Sequence, residues 1–155
     1  MEEREILTYD GFGVAARELA QGISDDGFRP DAIVAIARGG LVLAGALGYA
    51  LDVKMLGSLN VEFYTGVEER LDEPVVLPPT LDRESLAGKR VLLVDDVSDS
   101  GRTLSLVLAL LQAGEGEVRT VCLYDKPGTV QKPDYVWRTT DRWIMFPWSA
   151  EGPVR

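Results

Sequence analysis

The sequence of 155 residues contains no histidine and a single cysteine, Cys122. The absence of histidine excludes imidazole as a general base and as a metal ligand. A single cysteine allows no internal disulfide, and its place in an apolar run predicts that Cys122 packs as a small hydrophobic residue. No apolar run approaches the roughly 20 residues that a helix needs to span a bilayer. These absences favour a protein that works in the cytoplasm.

Positive charge is also scarce, since 16 Lys and Arg residues stand against 25 Asp and Glu residues, for a formal net charge of −9. This balance argues against nucleic acid or an anionic membrane as the main partner. The acidic, polar residues 1–5 are unlike a secretory signal. The length predicts one domain, residues 1–155, with a sizeable core.

One stretch combines the features that a phosphate site needs. Residues 91–94 form an apolar run typical of a strand buried on both faces of a parallel sheet. Asp95 and Asp96 follow at the carboxyl end of that strand, which is the edge where open α/β folds bind ligands. Residues 98–103 then offer backbone N–H groups and hydroxyls at the start of an apolar helix. The loop predicts a phosphate site, and the carboxylate pair predicts a site for vicinal hydroxyls or a metal.

Strand and helix patterns alternate along the rest of the chain and predict an α/β fold with a central parallel sheet flanked by helices. Helices are expected from an N-cap at Asp10 to about Gly22, at 41–51 and at 103–113. Further strands are expected at 31–36, 53–63, 118–124 and 134–137. Residues 64–84 are rich in proline and carboxylates and predict a long loop.

The stretch 91–104 is similar to the phosphoribosyl-pyrophosphate (PRPP) signature of type I phosphoribosyltransferases, in which an apolar strand and two acids precede Asp-Ser-Gly-x-Thr. The resemblance implies the fold of that family, with a flexible lid at about 64–84 and a small C-terminal hood at about 134–155. It implies that the loop binds the 5′-phosphate of PRPP through Ser98, Asp99, Ser100, Gly101, Arg102 and Thr103. Asp95 and Asp96 would hold the ribose hydroxyls, directly or through Mg²⁺.

A second loop, Arg38-Gly39-Gly40, follows the first buried strand and opens a helix. Two glycines allow the backbone to approach an anion, and Arg38 adds a fixed positive charge. By itself this is equally compatible with an ordinary strand-to-helix turn. It resembles the pyrophosphate-binding loop of the same enzymes, and Arg70 in the lid corresponds to an arginine that touches pyrophosphate there.

Three residues near the C-terminus resemble the base site of the 6-oxopurine phosphoribosyltransferases, which act on xanthine and guanine or on hypoxanthine and guanine, and the segment 143–148 resembles the bacterial xanthine–guanine enzymes. Lys126 would donate a hydrogen bond to the exocyclic oxygen of a 6-oxopurine. A lysine has only donors, so it would not favour the amino group of adenine. In the segment 143–148, Trp143 would stack on the base and the backbone of Ile144 would read its 2-position. The alternatives are a solvated loop lysine and aromatic residues that cap a small core, the latter being favoured for Trp148.

Asp99 is the predicted acid–base residue, because members of this branch of the family carry an aspartate near the purine N7. The alternative is a turn residue whose carboxylate bonds the nearby backbone. The resemblance therefore implies an Mg²⁺-dependent transfer of the phosphoribosyl group from PRPP to guanine, xanthine or hypoxanthine. The chain would be a homodimer or homotetramer. Two alternatives stay open: a regulatory protein that binds PRPP or a nucleotide without turnover, and a phosphoribosyltransferase for another base.

Overall fold

The computed structural model of the protein describes residues 3–62, 75–76 and 80–155. The helices of this part are α1 (Tyr9–Asp25), α2 (Gly39–Ala50), α3 (Arg83–Leu86) and α4 (Arg102–Gln112). The strands are β1 (Arg4–Ile6), β2 (Ala32–Ala37), β3 (Leu56–Glu62), β4 (Val75–Val76), β5 (Val91–Ser98), β6 (Val118–Asp125), β7 (Tyr135–Thr139) and β8 (Trp143–Met145). None of the helices described is long and apolar enough to cross a membrane.

Six strands form the main sheet in the order β4-β3-β2-β5-β6-β7. All neighbours are parallel except β3 and β4, which pair antiparallel. From β2 the chain crosses through α2 to β3 on one side, whereas from β5 it crosses through α4 to β6 on the other. The strand order therefore reverses between β2 and β5, the position at which open α/β sheets form a ligand crevice. The predicted parallel sheet flanked by helices is confirmed.

Alternating side chains of the central strands pack on two separate layers of helices. Ile33, Ala35, Leu92 and Val94 face one layer, where the buried stripes of α1 and α2 lie. Their sequence neighbours face the other layer, with α4 and the end of α3. Because β2 and β5 are apolar on both faces, they can occupy only the middle of the sheet, and the crevice between them is fixed at the centre of the molecule.

The N-terminal strand β1 pairs in parallel with β8, so that Arg4 lies opposite Trp143 and Ile6 opposite Met145. We call this two-stranded unit the hood sheet. The N–H of Leu7 continues it by donating to the carbonyl of Met145 at 3.0 Å. Strand β7 belongs to the main sheet, so within the predicted hood at 134–155 the separate sheet begins only at Trp143.

Several boundaries differ from the sequence predictions for local reasons. Helix α1 is capped by Thr8, whose hydroxyl accepts from the Gly11 N–H at 3.0 Å, and not by Asp10. Strand β5 runs on to Ser98, because it leaves β2 after Val94 but stays paired with β6. Helix α2 begins at Gly39, two residues earlier than predicted.

Part of the predicted lid, residues 64–74 and 77–79, lies outside the described residues, and Arg70 lies there too. The C-terminal part of the predicted lid is hydrogen-bonded to β3. The Thr80 hydroxyl accepts from the Ser58 N–H at 2.7 Å, and the Thr80 N–H donates to the Ser58 carbonyl at 2.9 Å. Leu81 packs against Gly57, where a Cβ would collide with it. Helix α3 then begins at Arg83, so the segment from Thr80 onward belongs to the body of the fold.

Candidate active site

A cavity of about 300 Å³ opens at the carboxyl ends of β2 and β5. Its walls are the end of β2, Gly39, residues 95–101, Thr103 and Leu104. Helices α2 and α4 both start at this cavity, so two sets of first-turn N–H groups and two positive dipole ends meet there. Such an arrangement favours a ligand with more than one anionic group.

The two glycines of the Arg38-Gly39-Gly40 turn are required by close packing against the end of β5. A Cβ on Gly39 would overlap the carboxylate of Asp96. A Cβ on Gly40 would overlap the backbone carbonyl of Val94. The turn therefore lies directly on the carboxylate pair, and the predicted glycine loop and the predicted acidic strand end form one site. Arg38, preceded by a cis peptide bond, is exposed at the N-cap of α2.

Asp95 and Asp96 are half-buried at the point where β5 separates from β2. One oxygen of Asp95 accepts from the Asp96 N–H, and one oxygen of Asp96 accepts from the Val97 N–H, both at 2.8 Å. Burial raises the pKa of Asp95 well above its ordinary range, and the charge of Asp96 adds to the shift. Burial also raises the pKa of Asp96. A cation or a hydroxyl-bearing ligand that offsets this cost would bind strongly.

The loop after β5 is built around a left-handed residue. Gly101, at φ +84°, is the N-cap of α4, and a Cβ there would collide with residues 129–131. The Ser100 hydroxyl accepts from the Arg102 N–H at 3.3 Å, and its carbonyl accepts from the Val130 N–H at 2.9 Å. Thr103 lines the cavity from the first turn of α4. This is the cradle that the sequence predicts for a phosphate.

The structure corrects the role predicted for the hydroxyl of Ser98. Ser98 is buried, and its hydroxyl donates to the carbonyl of Gln131 and shares a bond with the Thr129 hydroxyl, both at 2.8 Å. Ser98 is still part of β5 and is paired with β6, so its hydroxyl lies against the loop that follows β6 and bonds Thr129 and Gln131 there. Its backbone lines the cavity, and a contact with PRPP stays a prediction.

A second cavity, of about 740 Å³, opens beside the first. Its lining comes from four places in the chain: Glu3, Asp99, Lys126 and residues 141–143. The Lys126 ammonium donates to the backbone carbonyl of Arg142, which leaves two of its three N–H donors for other acceptors. Trp143 is 68% exposed, so its ring offers an open aromatic face.

Asp99 is exposed and lines both cavities. It is the residue that they share, and it stands between the phosphate loop and Lys126. The N–H of Lys126 donates to the carbonyl of Ser98 at 3.0 Å, which fixes the distance between the two loops. The structure therefore brings most of the predicted phosphate loop together with Asp99, Lys126 and Trp143. The linings of these two cavities do not include Arg38, Gly40, Arg102 and Ile144.

The aromatic segment divides between cavity and core. Ile144 is half-buried against the core, and its backbone lies opposite Glu5 in the hood sheet. Trp148 stacks on Phe146 with ring centroids 5.0 Å apart and meets Phe12 edge-on at 5.5 Å. The core role favoured for Trp148 is what the structure shows, whereas Trp143 has the exposure that stacking on a ligand needs.

The described residues contain no group of three or more carboxylates, cysteines or histidines that could cage a metal. Mg²⁺ is commonly held by only one or two carboxylates together with water and substrate oxygens. The Asp95 and Asp96 pair meets that requirement, since each carboxylate has one oxygen engaged in the backbone bonds given above. Cys122 is buried, and burial raises the pKa of its thiol, so it is no nucleophile at neutral pH.

Sequence reasoning missed the residues that hold the base side in place. Asp125 is buried at the end of β6, and its carboxylate accepts from the Thr139 hydroxyl of β7. Arg142 is ion-paired with Glu3 at 2.7 Å. The position of Asp125, between a buried strand and Lys126, was the one available signal. The partners could not be identified, because Glu3 and Thr139 come to the site only through strand pairing.

Residues 4–152 match the Phosphoribosyl transferase domain family. A xanthine-guanine phosphoribosyltransferase of Gluconobacter oxydans (strain 621H) is 35% identical over 146 residues, which cover 93% of this chain and 83% of that protein. The crystal structure of a purine phosphoribosyltransferase from Pyrococcus horikoshii Ot3 is 38% identical and superposes with a TM-score of 0.83 over 100% of this chain and 98% of the other.

A third similar protein is a hypothetical protein from Neisseria gonorrhoeae with bound ppGpp. It is 27% identical, with a TM-score of 0.81 over 96% of this chain and 90% of that chain. Family match, sequence identity and superposition agree with one another and with the geometry of the two cavities. This chain belongs to the phosphoribosyltransferase family.

Proposed function

We propose that the protein transfers the 5-phosphoribosyl group of PRPP to a 6-oxopurine, giving the nucleoside 5′-monophosphate and pyrophosphate in purine salvage. The observation that carries the proposal is the pair of adjoining cavities with Asp99 between them. One cavity has the amides and carboxylates for a ribose with phosphates, and the other has a lysine and an open indole for a flat base that carries an oxygen. The curated relative named above is described as acting on xanthine and guanine.

In the proposed reaction the C1′–pyrophosphate bond breaks, and the base nitrogen takes its place on C1′. The loop at 99–103 fixes the 5′-phosphate with backbone N–H groups and the N-terminus of α4. Arg38 and the amides of the glycine turn stabilise the departing pyrophosphate. Asp95 and Asp96 accept hydrogen bonds from the ribose 2′- and 3′-hydroxyls. Two substrates held in adjoining cavities react as one bound assembly, which removes much of the entropic cost.

On the base side, one N–H of the Lys126 ammonium donates to the exocyclic oxygen of the purine, and another continues to donate to the Arg142 carbonyl. Trp143 stacks on the ring, which is worth ~1–3 kcal/mol by analogy with stacked nucleic-acid bases. Asp99 accepts or stabilises the proton at N7. A 6-aminopurine would present a donor to Lys126, so adenine is expected to be a poor substrate.

Mg²⁺ is part of the proposal, with Asp95 and Asp96 as the protein residues that would hold it. When bound, the ion would supply positive charge to the leaving pyrophosphate. The raised pKa of both carboxyl groups fits a pair that is completed by a cation.

The test is steady-state turnover with PRPP and Mg²⁺ against guanine, xanthine, hypoxanthine and adenine. A 6-oxopurine should be converted, and Asp99→Ala should lower kcat by about 10²–10⁴-fold, the usual cost of lost acid–base help. Asp141→Ala, which removes a different carboxylate from the same base cavity, is the matched control and should retain kcat. Equal losses in the two variants would contradict the role given to Asp99.

A second candidate is a regulatory protein that binds PRPP or a nucleotide without turnover. The observation in its favour is that the similar structure from Neisseria gonorrhoeae holds ppGpp. Titration calorimetry with PRPP separates the two functions. PRPP binding without conversion of any of the four bases would support the regulator, or a phosphoribosyltransferase for another base.

We also propose that the protein is cytoplasmic and assembles as a homodimer or homotetramer, as the family resemblance implies. Sedimentation equilibrium measures the assembly directly. A single species at the 17.0 kDa of the monomer would overturn that part of the proposal.

A further inference from the structure

The strongest unexplained feature near the site is the buried carboxylate of Asp125. It is 2% exposed at the last position of β6. On one side it pairs with Ser98 of β5, and on the other with Thr139 of β7. An aspartate in such a position is expensive unless it is hydrogen-bonded, and here the Thr139 hydroxyl donates to it.

The same residue holds the next turn through its backbone. The Asp125 carbonyl accepts from the Thr140 N–H at 3.0 Å, and the Thr140 hydroxyl accepts from the Arg142 N–H at 3.1 Å. The Arg142 carbonyl in turn accepts from the ammonium of Lys126, the residue after Asp125. These bonds close a ring that begins and ends at the Asp125-Lys126 pair.

The bond from the Thr140 N–H to the Asp125 carbonyl continues the pairing of β6 with β7. The fold does not require the further bond between the Thr139 hydroxyl and the Asp125 carboxylate, because an apolar residue at the end of a buried strand would pack without a desolvation cost. What the ring does hold is the turn at 139–142, which sets the direction of Lys126 and delivers the chain to Trp143. The proposed function assigns Lys126 and Trp143 to the base, and neither side chain is buried.

We propose that Asp125 is a positioning residue for base binding, which acts through Thr139 and the turn at 139–142 on Lys126 and Trp143. It touches neither substrate. The inference rests on the proposed function, since it assigns to the second cavity the purine base. It adds that the affinity for the base, and not that for PRPP, depends on a carboxylate outside the cavity lining.

The test compares Thr139→Val, which removes the hydroxyl at nearly constant shape, with Thr139→Ser, which keeps the hydroxyl. Thr139→Val should raise the KM for the 6-oxopurine about tenfold through misplacement of the base residues. The KM for PRPP should stay within about twofold, because the phosphate loop packs on residues 129–131 and the bonds described for it do not involve the turn at 139–142. Thr139→Ser should have the wild-type KM for both substrates. Asp125→Asn keeps an acceptor for the Thr139 hydroxyl, so its KM for the base should lie between those of the wild type and Thr139→Val.

The chain offers a matched control at the other end of the same two strands. Thr120 of β6 bonds the Asp134 carboxylate at 3.2 Å and accepts from the Asp134 N–H at 2.9 Å. Thr120→Val therefore removes the hydroxyl from a second threonine–aspartate pair at the opposite end of the strands, where the Thr120 N–H still donates to Asp134 at 2.8 Å. It should lower the melting temperature without changing either KM. A rise in the KM for the base in Thr120→Val, or equal rises for both substrates in Thr139→Val, would overturn the proposal.

A readout without turnover keeps this test separate from that of the proposed function. The amides of Thr140 and Arg142, which donate within the ring, should exchange with solvent about tenfold faster in Thr139→Val than in the wild type. In Thr120→Val they should exchange at the wild-type rate. If the wild type converts no purine, the proposed function fails; if exchange is unchanged in Thr139→Val, the positioning role fails by itself.

Discussion

The two cavities of the site are built in opposite ways. Most of the phosphate cavity comes from one stretch, residues 95–104, and the rest comes from the end of β2, Gly39 and Val61 of β3. The base cavity draws on the N-terminus, the loop after β5, the end of β6 and the segment before β8. The first is fixed by a strand and the helix that follows it, whereas the second exists only after β1 has paired with β8 and β7 with β6.

This difference predicts how each side responds to change. Backbone amides and tightly packed glycines dominate the phosphate side, so substitutions there should either collapse the site or leave it intact. Side chains on turns dominate the base side, so substitutions there should be graded and selective for one substrate. The following variants test that contrast, beginning with the largest expected effect.

The strongest test uses two glycines of one helix. Gly40→Ala should abolish turnover, because its Cβ would meet the Val94 carbonyl, a backbone atom that cannot move aside. Overpacking of this kind costs about 1–3 kcal/mol, and the shift of the glycine turn should lower kcat/KM by about 10²-fold or more. Gly45→Ala, at a position of α2 where a Cβ meets nothing within 4 Å, should stabilise the protein by about 0.5–1 kcal/mol. Urea unfolding and turnover measure both, and equal effects of the two variants would break the contrast.

The second test separates stability from function at the carboxylate pair. Asp95→Asn keeps an oxygen for the Asp96 N–H but cannot hold a hydroxyl or a cation as a carboxylate does, so turnover should fall by about 10²-fold or more. Because the folded-state pKa of Asp95 is raised, the carboxyl group stabilises the fold at low pH, and this contribution is lost as pH rises through the folded pKa. The variant should therefore melt above the wild type at neutral pH, and the gain should vanish in acid.

Asp31→Asn is the control, because the pKa of Asp31 is shifted in the opposite direction to that of Asp95. Hydrogen bonds from Arg90 lower the pKa of Asp31, so its contribution to stability is present at neutral pH and is lost as pH falls through the folded pKa. This variant should melt at or below the wild type at neutral pH and turn over normally. A destabilised Asp95→Asn at neutral pH would show that the pair is held by partners and not strained by burial.

The third test compares two tryptophans five residues apart. Trp143→Ala should raise the KM for the base roughly 5- to 150-fold, the equivalent of ~1–3 kcal/mol of stacking, with little change in melting temperature because the ring is 68% exposed. Trp148→Ala removes a ring packed on Phe146 and Phe12, and should cost about 3 kcal/mol of stability while leaving the KM for the base unchanged. Calorimetric melting and steady-state kinetics on both variants measure these effects. A higher KM for the base in Trp148→Ala with a lower melting temperature in Trp143→Ala would show that the assignment is wrong.

The contrast between the cavities also explains what could be predicted from the sequence. Asp95, Asp96, Gly101 and Thr103 were predicted together because one strand, one turn and one helix cap carry them, and local rules govern all three. The parallel sheet flanked by helices followed from the alternation of strands and helices, whereas the order of the strands is known only from the structure. By contrast, the side-chain direction of Ser98 depended on how far β5 stays paired with β6, which a run of four apolar residues does not reveal.

Gly45 shows the same limit in α2. Among the small residues of α2, Ala44 and Gly48 are buried. Gly45 is exposed, because the buried stripe of α2 runs through Gly40, Leu43 and Leu47 and leaves residue 45 on the opposite face. Asp125 and Thr139 could not be paired for a further reason. Their contact depends on the register between β6 and β7, which pattern alone leaves free.

The smallest expected effect lies at the rim of the base cavity, where Glu3 and Arg142 form an ion pair at 2.7 Å with side chains 75% and 48% exposed. Exposed pairs contribute about 0.2–1 kcal/mol, so Glu3→Gln should change the KM for the base by less than about fivefold, and the change should shrink in high salt. Glu117→Gln, which breaks the Glu117–Arg119 pair at the start of β6, is the control and should leave KM unaltered. A tenfold rise confined to Glu3→Gln would mean that the N-terminal strand orients the base through its charge. The base side would then be a chain of coupled contacts from Glu3 through Arg142 to Lys126, whose effects could not be treated as additive.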